Sequence, residues 1–295
     1  MITKDTKLAD LLQEYPWLKS EVMQISDKFK MLNTPVGKIM LKKATVAEMS
    51  KKSGIAEDQI IQKLTELIEK HKSRSKSIMK EKTGEVFSIT KDNQPVPWCT
   101  VSRAIADGST DIIYFSLAKN TDISAEIYPY HKLLLVDSGT LEVYGGNGSS
   151  QKLEKGDVML TPVDTPVGIR TEQQTVYTEI SVGKESNMNE VIKAGEVFRL
   201  ADLIPYQDEK IINMDVVHND KMKFVVMAFA EGTGLSEHAA PGEALVFALD
   251  GEAVIGYEGT EHRIKAGETF HFAKGGLHSV KADHKFKMAL LLTLE

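Results

Sequence analysis

The first part of the chain has the apolar spacing of amphipathic helices. Leu8, Leu11 and Leu12 recur at i, i+3 and i+4, which places them on one face of a helix. A later segment, about 57–70, has isoleucine and leucine at the same kind of spacing. These patterns predict a small all-α domain over residues 1–72.

Capping signals give two helix starts inside this domain. Thr45 is followed three residues later by Glu48, the pattern of a capping box. Gly54 is suited to end that helix, because glycine adopts the left-handed conformation of a helix C-terminus. Thr34-Pro35 is a second start signal, since proline is favoured at the first helical position.

The pattern changes after a basic, Ser/Lys-rich run at 73–84, which we predict to be a linker. The apolar runs become short and are separated by turn residues, as is typical of an all-β barrel or sandwich. We therefore expect a mainly β protein, with one barrel over 85–184 and a second over 185–295.

The β part repeats itself at a fixed offset. Gly84–Phe87 returns as Gly195–Phe198, and Gly156-Asp157 returns as Gly267-Glu268, both 111 residues later. A repeat of this length corresponds to a whole domain rather than to a solenoid unit. The sequence thus predicts two tandem copies of one β fold.

Charge is divided unevenly between the two predicted parts. The chain carries a net charge of −6. Residues 1–84 hold 17 Lys and Arg against 11 Asp and Glu, and the remainder holds 19 against 31. Such asymmetry indicates two modules with different partners or simply two solvated surfaces.

Composition excludes several protein classes. No apolar run is long enough to span a bilayer, and the N-terminus lacks the apolar core of a signal peptide. Cys99 is the only cysteine, which excludes an intrachain disulfide or a thiolate cluster. We expect a cytoplasmic protein without a membrane partner, and a buried, inert thiol at Cys99.

Two histidines stand at the edges of predicted strands in the last third of the chain. His238 precedes an apolar run that ends in Asp250-Gly251, and His278 follows the turn Gly275-Gly276. Histidines placed in this way could meet inside a small barrel. The stretch resembles the two motifs of the cupin family, whose fold is a double-stranded β-helix. The resemblance implies two tandem cupin barrels preceded by the small all-α domain.

The cupin resemblance also implies a divalent metal, held in that family by three histidines and a glutamate. His238 and His278 match the first and last of these histidines, whereas Ala240 stands at the second. The glutamate position falls on Ala244, and Glu243 lies one residue early. The implied set is His238, His278 and Glu243, with Fe, Mn, Zn, Ni or Cu as the candidate metals. Two hydrogen-bonded pocket histidines without a metal are the alternative.

The side-chain directions of two residues decide between these alternatives. Neighbouring residues on a strand point to opposite faces, so Glu243 points away from the pocket unless a bulge turns it inward. His271 lies between Phe270 and Phe272. We expect it outside the barrel with solvent, although an inward His271 would supply a third imidazole.

The first barrel lacks the implied metal ligands. Glu126 and Val167 stand at the positions of the two matched histidines, so the resemblance implies a degenerate cupin barrel. Tyr128, Tyr130 and His131 lie near its expected mouth. They either line a ligand pocket or complete a core, and a barrel of this kind often has a structural role.

The helical domain supports two interpretations. The stretch from about 1 to 70 resembles the DUF1858-type helical domain, an uncharacterised bacterial module. Residues 44–64 also have the short helix, glycine turn and second helix of a helix-turn-helix. The second helix opens with Glu57 and Asp58, which would face phosphates unfavourably. We therefore expect a protein partner rather than nucleic acid.

The sequence leads to a ranked set of functions. The first is a small-molecule-binding or sensing protein, with or without a divalent metal in the C-terminal barrel. The second is a metal-dependent cupin enzyme, an oxygenase or an isomerase. The third is a transcription regulator with a helix-turn-helix-like N-terminal domain. We also expect a homodimer, because sheet edges and faces of this fold are often buried between subunits.

Overall fold

The computed structural model divides the chain into two compact units, Met1–Lys76 and Ser77–Glu295. Within the part of the chain that the structure describes, no helix is long and apolar enough to cross a membrane. The described residues are 2–14, 18, 22, 44–65, 79–106, 110–145, 148 and 150–294.

The first unit is helical, as its apolar spacing predicts. Helix α1 spans Leu8–Glu14, α2 spans Val46–Ser53, and residues 57–65 form α3. Each helix has one apolar face, and these faces pack against one another to form a single core. The buried members of this core are Leu8, Leu11, Leu18, Val22, Val46, Met49, Ile60 and Leu64.

The predicted capping box of α2 is present. The Thr45 hydroxyl accepts a hydrogen bond from the Glu48 backbone N–H, and the Thr45 backbone N–H donates to the Glu48 carboxylate. Gly54 follows with φ +80°, the left-handed conformation expected at the helix end. The helix start predicted at Thr34-Pro35 lies outside the described residues.

The second unit contains a short helix α4, Ile89–Asp92, a 3₁₀ turn, Leu200–Asp202, and twenty strands among the described residues. The strands are β1 Val86–Phe87, β2 Thr100–Ala104, β3 Ile112–Leu117, β4 Thr121–Ile127, β5 His131–Ser138, β6 Thr140–Gly145, β7 Ser150–Glu154, β8 Asp157–Leu160, β9 Pro166–Thr171, β10 Thr175–Val182, β11 Asn187–Met188, β12 Val197–Arg199, β13 Ile211–His218, β14 Met222–Phe229, β15 Gly234–Ala239, β16 Glu243–Tyr257, β17 Thr260–Lys265, β18 Thr269–Phe272, β19 Leu277–Lys281 and β20 Phe286–Thr293.

Two β-barrels follow one another along this unit, as the 111-residue repeat predicts. The first consists of a six-stranded sheet, β12-β8-β5-β10-β3-β2, and a four-stranded sheet, β4-β9-β6-β7. In the second, β1-β18-β16-β20-β14-β13-β11 form one layer. The long strand β16 continues into the other layer, where it pairs with β17 and β19, and β19 pairs with β15.

Each barrel receives a strand from the beginning of the other repeat. In β1, Val86 pairs with Phe270 of the second barrel. In β12, Val197 pairs with Met159 of the first barrel. The two pairings are equivalent at the 111-residue offset. The barrels therefore exchange their first strands, and a boundary at 184/185 does not separate two self-contained barrels.

The two barrels pack together through a shared apolar layer. In β5, Leu133 and Leu135 face this layer, whereas Leu134 faces the interior of the first barrel. In β16, Leu245 and Phe247 face the same layer from the other side. Strands buried on both faces have continuous apolar runs, which explains why neither strand alternates.

Part of the segment predicted to be a linker belongs to the second unit. Met79 is buried, the Lys80 N–H donates to Ile105 O at 2.7 Å, and the Gly84 N–H donates to His271 O at 3.0 Å. The prediction of a linker over 73–84 is wrong for residues 79–84, because their backbone groups are bonded within the folded unit.

Candidate functional site

His238 and His278 lie directly opposite each other at the mouth of the second barrel. His238 is on β15 and His278 is on β19, and the two residues are cross-strand partners. Their ring centroids are 4.2 Å apart. The predicted meeting of these two histidines is thus present in the fold, produced by one antiparallel pairing between strands distant in sequence.

The two imidazoles have the same hydrogen-bond arrangement. Nδ1 of His238 lies 2.9 Å from Ser236 O, and Nδ1 of His278 lies 3.1 Å from Gly276 O. A carbonyl oxygen only accepts hydrogen bonds, so both Nδ1 atoms carry a proton. In the neutral ring, Nε2 then keeps its lone pair. Among the described residues, neither Nε2 has a hydrogen-bond partner.

The environments of the two rings differ. His278 is 8% exposed, whereas His238 is exposed to solvent. Burial lowers the pKa of His278 below its ordinary value, and the neighbouring His238 lowers it further, against an opposing hydrogen bond to Gly276. His278 is therefore neutral at pH 7 and offers an acceptor nitrogen.

An aromatic wall backs the imidazole pair. Phe272 stacks on His278 with ring centroids 4.2 Å apart and planes inclined by 27°. Tyr257 lies 5.6 Å from Phe272 and 5.7 Å from Phe270, centroid to centroid. Phe270 and Phe272 are buried and therefore hold the His278 ring from behind, whereas the Tyr257 ring is partly exposed beside the two acceptor nitrogens.

Glu243 is not part of this site, which corrects its place in the implied ligand set. Ala244 and Val246 face the interior of the second barrel, and Glu243 points to the other face of β16. The irregularity in β16 occurs between Ala248 and Asp250 rather than beside Glu243, so the alternation is not reversed there. The Glu243 carboxylate instead accepts a hydrogen bond from the Met79 N–H at 2.7 Å.

His271 is outside the barrel interior, but it is not in solvent. Its side chain is fully buried beneath the segment that precedes β1. Nδ1 donates to Glu81 O at 3.1 Å, and Nε2 lies 3.5 Å from a Glu243 carboxylate oxygen. The expected outward direction is correct, whereas the expected exposure is wrong because residues 79–84 cover this face.

The donor set at the mouth does not fit a tightly held resident metal. Protein zinc and iron sites use three or four nitrogen, sulfur or oxygen ligands. Only His238 and His278 converge here, and the described residues contain no group of three or more His, Cys, Asp and Glu side chains suited to a metal. The metal expected on His238, His278 and Glu243 therefore lacks its carboxylate.

The first barrel has the same strand pair without the histidines. Glu126 on β4 pairs with Val167 on β9. The Tyr128 hydroxyl donates to the Glu126 carboxylate, and the Tyr128 and Tyr130 rings are 5.3 Å apart. His131 donates from Nδ1 to a backbone carbonyl at 2.6 Å.

Sequence patterns missed the polar residues inside this barrel, Lys132, Tyr177 and Glu179. A charged side chain within an otherwise apolar strand was the available signal, since such residues are seldom buried without a partner. Cys99 was also predicted incorrectly. It is exposed immediately before β2, an edge strand whose residues are all exposed.

Comparisons with known proteins agree with this architecture. Residues 2–61 match the model of a domain of unknown function, DUF1858, and residues 225–294 match the cupin domain. A cupin 2 conserved barrel domain protein from Leptotrichia buccalis is 25% identical, with a TM-score of 0.66. The match covers 74% of this chain and 100% of that protein. The helical unit and one barrel together make up less than 74% of the chain, so the match extends over both barrels.

Two further solved structures are more distant. AerE from Microcystis aeruginosa is 18% identical, with a TM-score of 0.45, and covers 68% of this chain and 98% of its own. A variant of Bacillus subtilis oxalate decarboxylase is 11% identical, with a TM-score of 0.44 and coverages of 72% and 78%. No curated protein sequence matches the chain.

Proposed function

Starting from a C-terminal cupin domain and an N-terminal DUF1858 domain, we propose that this protein binds a small molecule at the mouth of its second barrel. His238 and His278 recognise the ligand through their Nε2 atoms. The observation that carries the proposal is the shared hydrogen-bond arrangement, in which both Nδ1 protons are bonded to backbone carbonyls. A binding or sensing role follows from this arrangement, and no chemical step is required.

The chemistry of the mouth indicates the kind of ligand. Two unprotonated Nε2 atoms accept hydrogen bonds, so the ligand carries a donor group such as a hydroxyl or an amide N–H. Tyr257, the partly exposed cross-strand partner of His278, supports an aromatic or flat apolar body. The mouth therefore suits an aromatic alcohol better than a carboxylate.

A divalent cation is expected to bind this pair only weakly. Imidazole suits zinc, nickel and copper more than manganese, but two protein ligands leave the cation held mainly by water. The metal-dependent alternative, an oxygenase or an isomerase, would need a third protein ligand that the described residues do not bring to the mouth.

Phenol is a suitable first probe, because it combines one hydroxyl donor with one aromatic ring. We expect the His238→Ala/His278→Ala variant to bind phenol about tenfold more weakly than the native protein, because the single phenol hydroxyl loses both imidazoles that can accept its hydrogen bond. His284→Ala is the matched control, because this histidine is exposed on the surface. Equal phenol affinity in the native protein and the double variant, both folded, would contradict the proposal.

The helical unit is proposed to contact another protein. Glu57 and Asp58 open α3, where negative charge would oppose DNA phosphates. We expect no retention on a DNA column at low salt. Retention that weakens steeply with added salt would instead favour the regulator alternative.

Self-association is proposed at the open edge of the first barrel. Strand β2 is an edge strand, and Val96, Trp98 and Val101 are exposed on or beside it. Exposed edges and apolar groups of this kind are frequently covered by a second copy. Sedimentation should give a dimer, and a single species of 32.7 kDa would contradict this.

A further inference from the structure

The interior of the first barrel contains a cavity of about 230 Å³. Its walls are largely apolar and include Phe115, Leu134 and Ile169. Ligand cavities typically have a volume of about 300–1,000 Å³, and a dry cavity of about 150 Å³ accepts benzene. The space in this barrel therefore suits a molecule with a single ring or a short chain.

A buried ion pair lies in the wall of this cavity. Lys132 Nζ is 2.8 Å from a Glu179 carboxylate oxygen, and the two side chains are only 15% and 6% exposed. The same ammonium group lies 3.7 Å from the centroid of the Tyr128 ring. Burial raises the pKa of Glu179, and the nearby Lys132 opposes that shift. The Lys132 ammonium has three protons, so it retains N–H donors beyond its bond to Glu179.

A second polar group borders the cavity without a partner. The Tyr177 side chain is fully buried, and its hydroxyl has no hydrogen-bond partner in the described part of the chain. The ring is fixed by stacking on Phe115, with centroids 4.9 Å apart and planes inclined by 4°. An unpaired buried hydroxyl is costly, and a ligand oxygen in the cavity would satisfy it.

The barrel fold does not require these polar groups. In the second barrel, Ala244, Met288 and Leu290 occupy the equivalent positions of the strand pair β16–β20. That interior is apolar and closes as a core. A buried ion pair is often no more stabilising than apolar residues of similar volume. The polar interior of the first barrel is therefore better explained by binding than by stability.

We propose that the first barrel has its own ligand site, which takes a neutral small molecule with an apolar body and a carbonyl oxygen. Tyr177 and Lys132 donate hydrogen bonds to that oxygen. Lys132 is already compensated by Glu179, and Glu126 adds a negative charge at the cavity. An anionic ligand is therefore disfavoured, whereas an uncharged acceptor uses the free donors without an unpaired charge.

Three probes of similar shape test this chemistry on the full-length protein. Acetophenone has the carbonyl, ethylbenzene lacks it, and benzoate carries a negative charge. Binding can be followed from labelled methyl groups of Ile123, Leu134 and Ile169, which line the cavity. We expect acetophenone to bind about tenfold more tightly than ethylbenzene, and benzoate to bind most weakly.

Variants assign the effect to this cavity. Tyr177→Phe should reduce the preference for acetophenone over ethylbenzene about fivefold, because one donor is lost. Tyr114→Phe is the matched control, since the Tyr114 hydroxyl is also buried and unpaired among the described residues but does not line the cavity. Val167→Phe, which fills part of the cavity, should abolish binding of all three probes.

The result is separable from the proposal for the second barrel. His238→Ala/His278→Ala should bind acetophenone as the native protein does. Equal affinities for acetophenone and ethylbenzene, or tightest binding of benzoate, would overturn the proposed ligand class. Probe binding that Val167→Phe leaves unchanged would overturn the site itself.

Discussion

The two barrels share a strand framework but place their polar groups in different regions. In the first barrel, Lys132 and Glu179 form an ion pair in the interior. In the second barrel, Ala244 and Leu290 stand at the equivalent positions, within or against an apolar core. The strand pairing is the same in both copies, including an irregularity near the end of each pair. The chemistry of each interior is therefore set by side chains and not by the fold.

The mouths of the barrels also differ. The second barrel has His238 opposite His278, and the first has Glu126 opposite Val167. A sequence comparison limited to the metal motif would regard the first barrel as empty. The structure shows instead that both barrels carry polar groups, in the interior of one and at the rim of the other.

The largest effect should come from breaking the interior ion pair of the first barrel. Lys132→Ala should lower the free energy of unfolding by about 3 kcal/mol, because Glu179 is left buried without its counter-ion. Lys132→Ala/Glu179→Leu, which copies the second barrel, should recover most of this loss. Urea unfolding measures both variants. A double variant as unstable as the single one would show that the pair is required by the fold.

A smaller and symmetric effect is expected at the exchanged strands. Phe87→Ala and Phe198→Ala truncate equivalent, half-buried side chains in β1 and β12 that pack against the shared core. Each should cost about 2 kcal/mol, less than the loss at a fully buried phenylalanine. Thermal unfolding of the two variants should give similar shifts. A large cost for only one would indicate that the exchange stabilises the barrels unequally.

The smallest effect concerns the pH dependence of the second barrel. The pKa of His278 is lowered by burial in the folded state, so below about pH 6.5 the unfolded chain binds more protons at this residue. The free energy of unfolding therefore decreases as the pH falls through the ordinary histidine range. This decrease levels off below the folded-state pKa of His278.

His278→Val introduces the residue found at the equivalent position of the first barrel, Val167. The stability of this variant should fall less between pH 7.5 and 5.5 than that of the native protein, as measured by urea unfolding at each pH. His284→Val, at an exposed histidine, should follow the native curve. An unchanged curve for His278→Val would contradict the assigned role of burial.

Local and repeating patterns allowed much of the fold to be predicted. The Thr45–Glu48 capping box depends on neighbouring residues, and the 111-residue repeat is directly visible. The meeting of His238 and His278 followed from two motifs that bracket a barrel. These features depend on local chemistry or on the internal repeat, both of which the sequence contains explicitly.

Other features depend on which elements pack together. The exchange of β1 and β12 has no local sequence signal, because each strand would find an equivalent sheet edge in either barrel. The burial of His271 depends on the segment at 79–84 covering one face. The ion pair between Lys132 and Glu179 joins two strands far apart in sequence, and neither residue belongs to a motif.

The most direct test of the central claim is nitrogen NMR of the histidine rings in full-length protein. We predict that the neutral rings of His238 and His278 both carry the proton on Nδ1 and have an unprotonated Nε2. Added phenol should shift the Nε2 signal of at least one of the two rings, with no comparable change at His284. A neutral ring with its proton on Nε2, or Nε2 signals that phenol does not move, would contradict recognition of a small molecule by this pair.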